Sequence, residues 1–512
     1  MINIRTITRS LLGAASLCSL PTHAERPNIV FVFPDQMRNC AIGFWNSPDF
    51  ARVAGRRCAD PVITPRLNAF AREAVVLSEA TSTCPVSSPY RGMMLTGMYP
   101  ERNGITLNCM NTRPESQLRQ DARCLSDVLA DAGYDCAYIG KLHADFPTPN
   151  NPQRPGTYVS DETEVWDAYT PPERRHGFNY WYSYGTYDVH RHPHYWDNDG
   201  NRHDVDDWSP HHEIDRAIAY IDNSEGQRDE QRPFLMMIAM NPPHAPYSST
   251  RDCLEEDYAL YAEQPVSRLL TRPNADTTMN KAHCAGYYFA AVSGIDREFG
   301  RLLDALRRRG LDSNTIVVFT SDHGETMCSH SLNDPKNSIF RESFNVPFLI
   351  RYPEVLQPHT DDLLLSTTDI MPTLLSLAGL SECIPAEVEG RDLAPALRRD
   401  RKAQRPRSAL YIRNLNGRRD STGMVRGFFP EARGIKTSRY TFEVVIDRKE
   451  RLRRITLYDD LRDPYQMHPV DTKRNPRLLK KLYVQLGREL RRTDDIWYRQ
   501  RILSQLIPYE NE

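Results

Sequence analysis

Ser87-Ser88-Pro89-Tyr90-Arg91 places two hydroxyls, a proline and a guanidinium within five residues. Pro89 suits the first turn of a helix, where its missing N–H costs nothing. Ser87 then sits just before that helix. An anion formed there faces free backbone N–H groups and the positive end of the helix dipole. Arg91, four residues on, can reach back to the same oxygen. Two readings fit this spacing: an activated nucleophile at Ser87, or a plain helix cap from Ser87 or Ser88. Spacing alone favours the cap.

Polar residues of four further kinds follow four short apolar runs. The runs cover 28–33, 135–139, 234–240 and 315–319. Each has the length of a strand and does not alternate, which predicts strands buried on both faces. The first leads into Asp35-Gln36, the second into Lys141-Leu142-His143, the third into Asn241-Pro242-Pro243-His244 and the fourth into Asp322-His323. Helical periodicity lies between them, for example over 126–132 and 292–308. Strands alternating with helices predict an α/β fold with a large, mostly parallel sheet flanked by helices. In such sheets ligands bind outside the carboxyl ends of the strands. A lone histidine is usually structural, but four strands delivering carboxylate, amide, ammonium and imidazole to one edge point to a site. Asp322-His323 would otherwise read as a solvated turn, which its place after a buried strand argues against.

Residues 146–208 have no clear period and are rich in Pro, Asp, His, Tyr and Trp. A loop of this length is functional or disordered, and the aromatic content argues against disorder. Tyr184 to Asp188, with His190, His192, His194 and Trp196, could wall a substrate pocket or form a well-packed surface insertion. His211 and His212 join the same candidates. Beyond about residue 400 the chain turns basic and polar. There 434–445 and 454–458 read as antiparallel strands and 477–492 as an amphipathic helix, a smaller C-terminal α+β subdomain. The expected division is 1–24, 25–400 and 401–512.

The 512 residues suffice for one large α/β domain and a smaller one. Apolar residues make up 40% and charged residues 26%, ordinary for a soluble globular chain. A net charge of -2 gives no global attraction to nucleic acid or anionic membrane, although a local basic site remains possible. Arg5 and Arg9, an apolar run over 11–20 and Thr22-His23-Ala24 resemble an export leader, too short to span a bilayer. No later run is long and apolar enough for a membrane helix. Export implies secretion across the inner membrane into the periplasm. The 11 cysteines are scattered, without zinc spacing; Cys136 in an apolar strand reads as a buried thiol.

Ser87-x-Pro89-x-Arg91 followed by Leu95-Thr96-Gly97 resembles the signature of type I sulfatases, of the alkaline phosphatase-like superfamily. Nearly the whole mature chain shares the likeness. It includes 26–36, Tyr138 to His143, Asn241 to His244, Ser321 to Glu325, Lys336 with Glu342-Ser343, Val346 to Phe348, 369–375 and 457–464. The resemblance implies that Ser87 is oxidised to formylglycine by a dedicated radical enzyme. Its hydrate then attacks the sulfur of a sulfate ester. It implies a divalent cation held by Asp35, Gln36, Asp322, His323 and the oxygen of residue 87. Arg91 and Lys141 would steady the hydrate, and His143 would act as base. Lys336 and His244 would contact the sulfate, with His244 protonating the leaving alcohol. Oxygen ligands suit Ca²⁺. Many members carry a second Asp where Gln36 stands and Asn where His323 stands; the softer imidazole leaves Mn²⁺ or Mg²⁺ as alternatives. The implied substrate is a sulfated saccharide, a glycosaminoglycan or mucin-type glycan, with a bacterial glycan-degrading enzyme as its user. Two other readings remain: a phosphonate or phosphodiester hydrolase of the same superfamily, and a glycan-binding protein whose Ser87 is never oxidised.

Overall fold

Five residues, Asn28–Val32, form β1, and all of them are buried. Val30 and Val32 pack into one apolar layer, Ile29, Phe31 and Phe33 into the other. Full burial of each such side chain is worth about 1.5–3 kcal/mol, so a run apolar at every position is stable only between two helical layers. The computed structural model describes residues 26–50, 59–419 and 425–509, and the expected leader at 1–24 lies outside the described residues.

The remaining strands of the main sheet are β2 (Val75–Leu77), β3 (Asp135–Lys141), β4 (Tyr180–Tyr184), β5 (His194–Trp196), β6 (Arg202–Asp204), β7 (Phe234–Ala239), β8 (Thr315–Thr320), β9 (Phe348–Arg351) and β10 (His359–Asp361). Their spatial order is β10-β2-β9-β8-β1-β7-β3-β4-β5-β6. From β8 to β4 all neighbours run parallel. The four strands expected from apolar runs are the four adjacent central ones. Register decides what this does for function: Ile139, Ile238, Val32 and Phe319 stand in one row. Three residues beyond that row come Asn241, Asp35 and Asp322; two beyond it comes Lys141.

Helices Pro65–Glu73, Ser209–Asp222 and Ala285–Arg308 cover one face. Ser87–Thr96, Leu125–Asp131 and Ile370–Leu377 cover the other. The helix expected over 292–308 therefore begins seven residues earlier, extending through Gly286.

Residues 146–208 differ from expectation. They are not a loop throughout: they supply β4, β5 and β6 and widen the sheet by three strands. Tyr180, Trp181, Tyr182, Tyr184, Tyr195, Trp196 and Trp208 are buried core. The aromatic richness is thus packing. Tyr180–Tyr184 lacks the aliphatic pattern that marks the central strands, which is why it did not read as one.

A second sheet contains β11 (Ala409–Arg413), β14 (Ala432–Lys436), β15 (Tyr440–Ile446) and β16 (Leu452–Asp459), all antiparallel. A ribbon of β12 (Asn416–Arg419) and β13 (Val425–Phe429) lies between them in sequence. The single strand expected over 434–445 is two, turned at 437–439, where Thr437 Oγ1 accepts from the N–H groups of Arg439 and Tyr440. Helix Pro476–Arg492 lays Leu482, Leu486 and Leu490 on this sheet. The same cluster includes Val86, Met93 and Tyr99 from around Ser87. Ile412 N donates to Thr83 O at 2.8 Å. The nine described cysteines are unpaired thiols, Cys136 among them, buried in β3.

Candidate active site

Ser87 is the first residue of helix Ser87–Thr96; Val86 is the residue before it, and no side chain caps the helix. The cap reading therefore fails. Ser88 N donates to Asn108 Oδ1 at 3.1 Å, and Ser88 Oγ accepts from Cys109 N at 3.0 Å. Ser87 Oγ is left to face the sheet edge. It lies 3.1 Å from Asp35 Oδ2, 3.2 Å from His323 Nε2 and 3.5 Å from Lys336 Nζ.

The expected reach of Arg91 back to Ser87 is not what forms. Its guanidinium instead spans the two carboxylates, 3.1 Å from Asp35 Oδ2 and 3.3 Å from Asp322 Oδ2, and donates to the Lys141 carbonyl at 2.6 Å. Lys141 Nζ lies 2.8 Å from Asp35 Oδ2 and donates to Asn241 Oδ1 at 3.0 Å. Buried charges persist only when paired and hydrogen-bonded in this way. Burial opposes ionisation of Asp35, but the ammonium groups of Lys141 and Lys336 overcome it and hold its carboxyl well below the usual range. Burial, then the Asp35 carboxylate, push Asp322 up to about 7.

The two carboxylates also stand close enough to share one cation with a neighbouring imidazole. One ligand atom each from Asp35, Asp322 and His323 lie within 4.8 Å of one another, and all three residues are buried. Gln36 Oε1 is buried without a hydrogen-bond partner, while its amide nitrogen donates to Glu325 and its backbone N–H to Asp322 Oδ1 at 2.9 Å. Burial and Lys336 hold His323 down to about 3, so the ring is neutral; with Nδ1 3.0 Å from the Gly324 carbonyl, Nε2 presents its lone pair towards Ser87. Three residues offering oxygens, one imidazole and the Ser87 hydroxyl suit a hard divalent cation. Gln36 has φ 67 and His143 φ 43. Both left-handed residues turn the chain sharply just past a strand end.

His244 Nε2 lies 3.0 Å from Lys336 Nζ, and its Nδ1 lies 2.7 Å from the Ala245 carbonyl. Nδ1 therefore carries the proton and Nε2 accepts from Lys336. Burial, with Lys336 and Lys141, holds His244 neutral, well below the usual imidazole range. His143 is likewise pushed well down by burial, Lys141 and Arg91, and neither ring nitrogen has a partner. Every residue expected at the site comes to one edge.

The other histidines divide. His190 is buried, its Nε2 2.8 Å from the His244 carbonyl. His194 is held by Asp167, His192 by Asp206, His211 by Asp207 and His212 by Tyr182, so these four brace the segment itself. Sequence reasoning left two residues without a role. Asn241 orients Lys141. Glu325, buried, accepts from Gln36, and from Tyr247 at 3.0 Å. Both stand in quoted motifs, but no spacing names their partners.

The Sulfatase family model matches residues 27–380. A second, described as N-sulphoglucosamine sulphohydrolase, C-terminal, matches 329–493 and spans the position near 400. An endo-4-O-sulfatase of Bacteroides thetaiotaomicron is 55% identical over 505 residues, 97% of this chain and 99% of its own. An ulvan-active sulfatase of Formosa agariphila is 32% identical, over 86% of this chain and 76% of its own. A solved structure from work on the metabolism of multiple glycosaminoglycans by Bacteroides thetaiotaomicron superposes with TM-score 0.92 at 55% identity, covering 95% of this chain and 100% of that one. The choice left open between sulfate and phosphate esters falls to sulfate. With the family match covering most of the chain and relatives of high identity agreeing with it, this chain belongs to the sulfatase family and is a hydrolase of sulfuric esters.

Proposed function

We propose that the protein removes 4-O-sulfate groups from within glycosaminoglycan chains, using a formylglycine made from Ser87 and a bound Ca²⁺. The observation that carries the substrate is the 55% identity to an endo-4-O-sulfatase over essentially both full lengths. The work from which the similar structure comes supports the glycosaminoglycan.

Oxidation takes two hydrogens from the Cβ–Oγ bond of Ser87 and leaves an aldehyde, the task of a radical maturation enzyme as partner. Hydrated, that aldehyde supplies the hydroxyl that attacks sulfur; a cation bound there would lower the pKa of this hydroxyl and offset sulfate charge. Asp35, Gln36 Oε1, Asp322 and His323 Nε2 would hold the cation; the oxygens favour Ca²⁺, with Mn²⁺ or Mg²⁺ as alternatives. Arg91 and Lys141 keep Asp35 ionised and the cradle rigid. Lys336 and His244 stand where the sulfate enters. Their shared proton, on Lys336 Nζ in the free protein, supplies the leaving alcohol through His244. His143, neutral and unpartnered, takes the proton from the remaining hydroxyl of residue 87, so that the C–O bond to sulfate breaks, sulfate is expelled and the aldehyde returns. The leader at 1–24 supports export to the periplasm; no described helix is long and apolar enough to cross a membrane.

The test is sulfate release by matured enzyme from glycosaminoglycan polymers and disaccharides sulfated at position 4 or 6. The proposal expects 4-O-sulfate released from the polymer. Release from position 6, or from chain ends alone, would overturn it.

A further inference from the structure

A cavity of about 780 Å³ lies apart from the reacting residues, between segment 404–408 and helix Pro476–Arg492. Seven cationic side chains line it against one carboxylate, Glu489, in a chain whose net charge is only -2. Arg391 is paired with Glu489, and Arg405 with Asp361 and Asp362. Arg407, Arg477, Lys481 and Arg488 have no carboxylate partner among the described residues and are exposed.

The pattern along the helix explains the shape. Arg477, Lys480, Lys481 and Arg488 recur at helical spacing and lie on one stripe, opposite the Leu482, Leu486 and Leu490 that face the core. From Arg477 to Arg488 the stripe runs about 16 Å at ~1.5 Å per residue. Aliphatic stems of the long side chains floor the cavity, and their charged heads reach water. Gln485 Nε2 donates to the Arg407 carbonyl at 3.0 Å and ties the two walls together. A single small anion needs neither this length nor this number of charges.

The groove also connects to the site. Ser408 lines it and leads directly into β11. Four residues on, about 13 Å at ~3.3 Å per residue, Ile412 N donates to Thr83 O at 2.8 Å. Beside it Tyr411 donates to the carbonyl of Asn337, next to Lys336, at 3.3 Å.

We propose that this groove binds a linear polysaccharide bearing sulfate or carboxylate groups. It is a second contact that holds the polymeric substrate while another of its sulfates reacts. The inference rests on the polymer-acting reading above, and its test separates the two.

Protein with unoxidised Ser87 binds without turnover, so affinity can be measured directly. The probe is a fluorescently labelled 4-O-sulfated glycosaminoglycan polymer at graded salt. The variant R407Q/K481Q/R488Q should bind about tenfold more weakly, since three exposed ion contacts of modest worth are removed. Its affinity should also depend less on salt. R407K/K481R/R488K should bind like the unaltered protein, and matured R407Q/K481Q/R488Q should retain its rate on a sulfated disaccharide, showing an intact fold. Equal affinity of unaltered protein and the glutamine variant would overturn the groove. So would tighter groove-dependent binding of polyglutamate or of a short DNA duplex. Groove-dependent polymer binding without desulfation of polymer would instead refute the polymer-acting function and leave the polysaccharide site standing.

Discussion

Asp322 sets the conditions under which the site can take a cation. Without one, its carboxyl holds a proton until about pH 7, while in the unfolded chain it releases it near pH 4. In that window the folded state binds more protons than the unfolded, so stability falls as pH rises. A bound cation replaces the proton and removes the cost. The Tm gain from Ca²⁺ over chelator should therefore be larger at about pH 8 than at about pH 5; equal gains would contradict a cation at Asp322. Arg91 is fully buried between the carboxylates. Arg91→Ala in chelator should lower unfolding free energy by about 3 kcal/mol, because it strands buried charge, as read from urea midpoints. His143→Ala should abolish turnover while a sulfated ligand still binds, if the unpartnered imidazole serves only to recycle residue 87. Lost binding, by calorimetry, would place His143 on the substrate instead. Much at this scale was legible: Asp35, Lys141, His244 and Asp322 follow strand ends, and register does the rest. What was not legible were contacts between side chains. Arg91 serves the carboxylates rather than Ser87, and Glu325 holds Gln36, because partner choice depends on three-dimensional distances that spacing does not contain.

β3 shows how an element aims a residue. Gly140 has φ 95, and a Cβ there would meet the Ala239 carbonyl oxygen at 2.3 Å. The close approach to β7 holds Lys141 against Asp35 and Asn241. Gly140→Ala should cost about 2 kcal/mol or more from backbone strain alone and lower activity with it; urea unfolding and sulfate release check both. An unchanged midpoint would mean the turn is not needed. The central strands were readable because each is apolar throughout and must be buried on both faces. β4 was not, since Tyr180–Tyr184 is aromatic inside a polar, proline-rich stretch. The left-handed turns at Gln36 and His143 were not readable either: neither is glycine, and nothing local marks a positive φ there.

Across the whole molecule, the C-terminal sheet and the nucleophile segment form one apolar cluster. Val86, Met93 and Tyr99 pack with Ile412, Phe442 and Leu486. Removing residues beyond 400 would strip that cover from the loop that presents Ser87. The shortened chain should show no cooperative thermal transition by circular dichroism, whereas a sharp one would show the two parts to be independent. A change of strand type after about residue 400 could be read from composition, but this docking could not, since the contacts join residues more than 300 positions apart. The account as a whole depends on residue 87 being the reacting group. The most direct measurement is the mass of the peptide containing Ser87 from protein made in its native host. The account predicts a peptide lighter by two hydrogens, with sulfate release abolished by Ser87→Ala. An intact serine in fully active protein would contradict it.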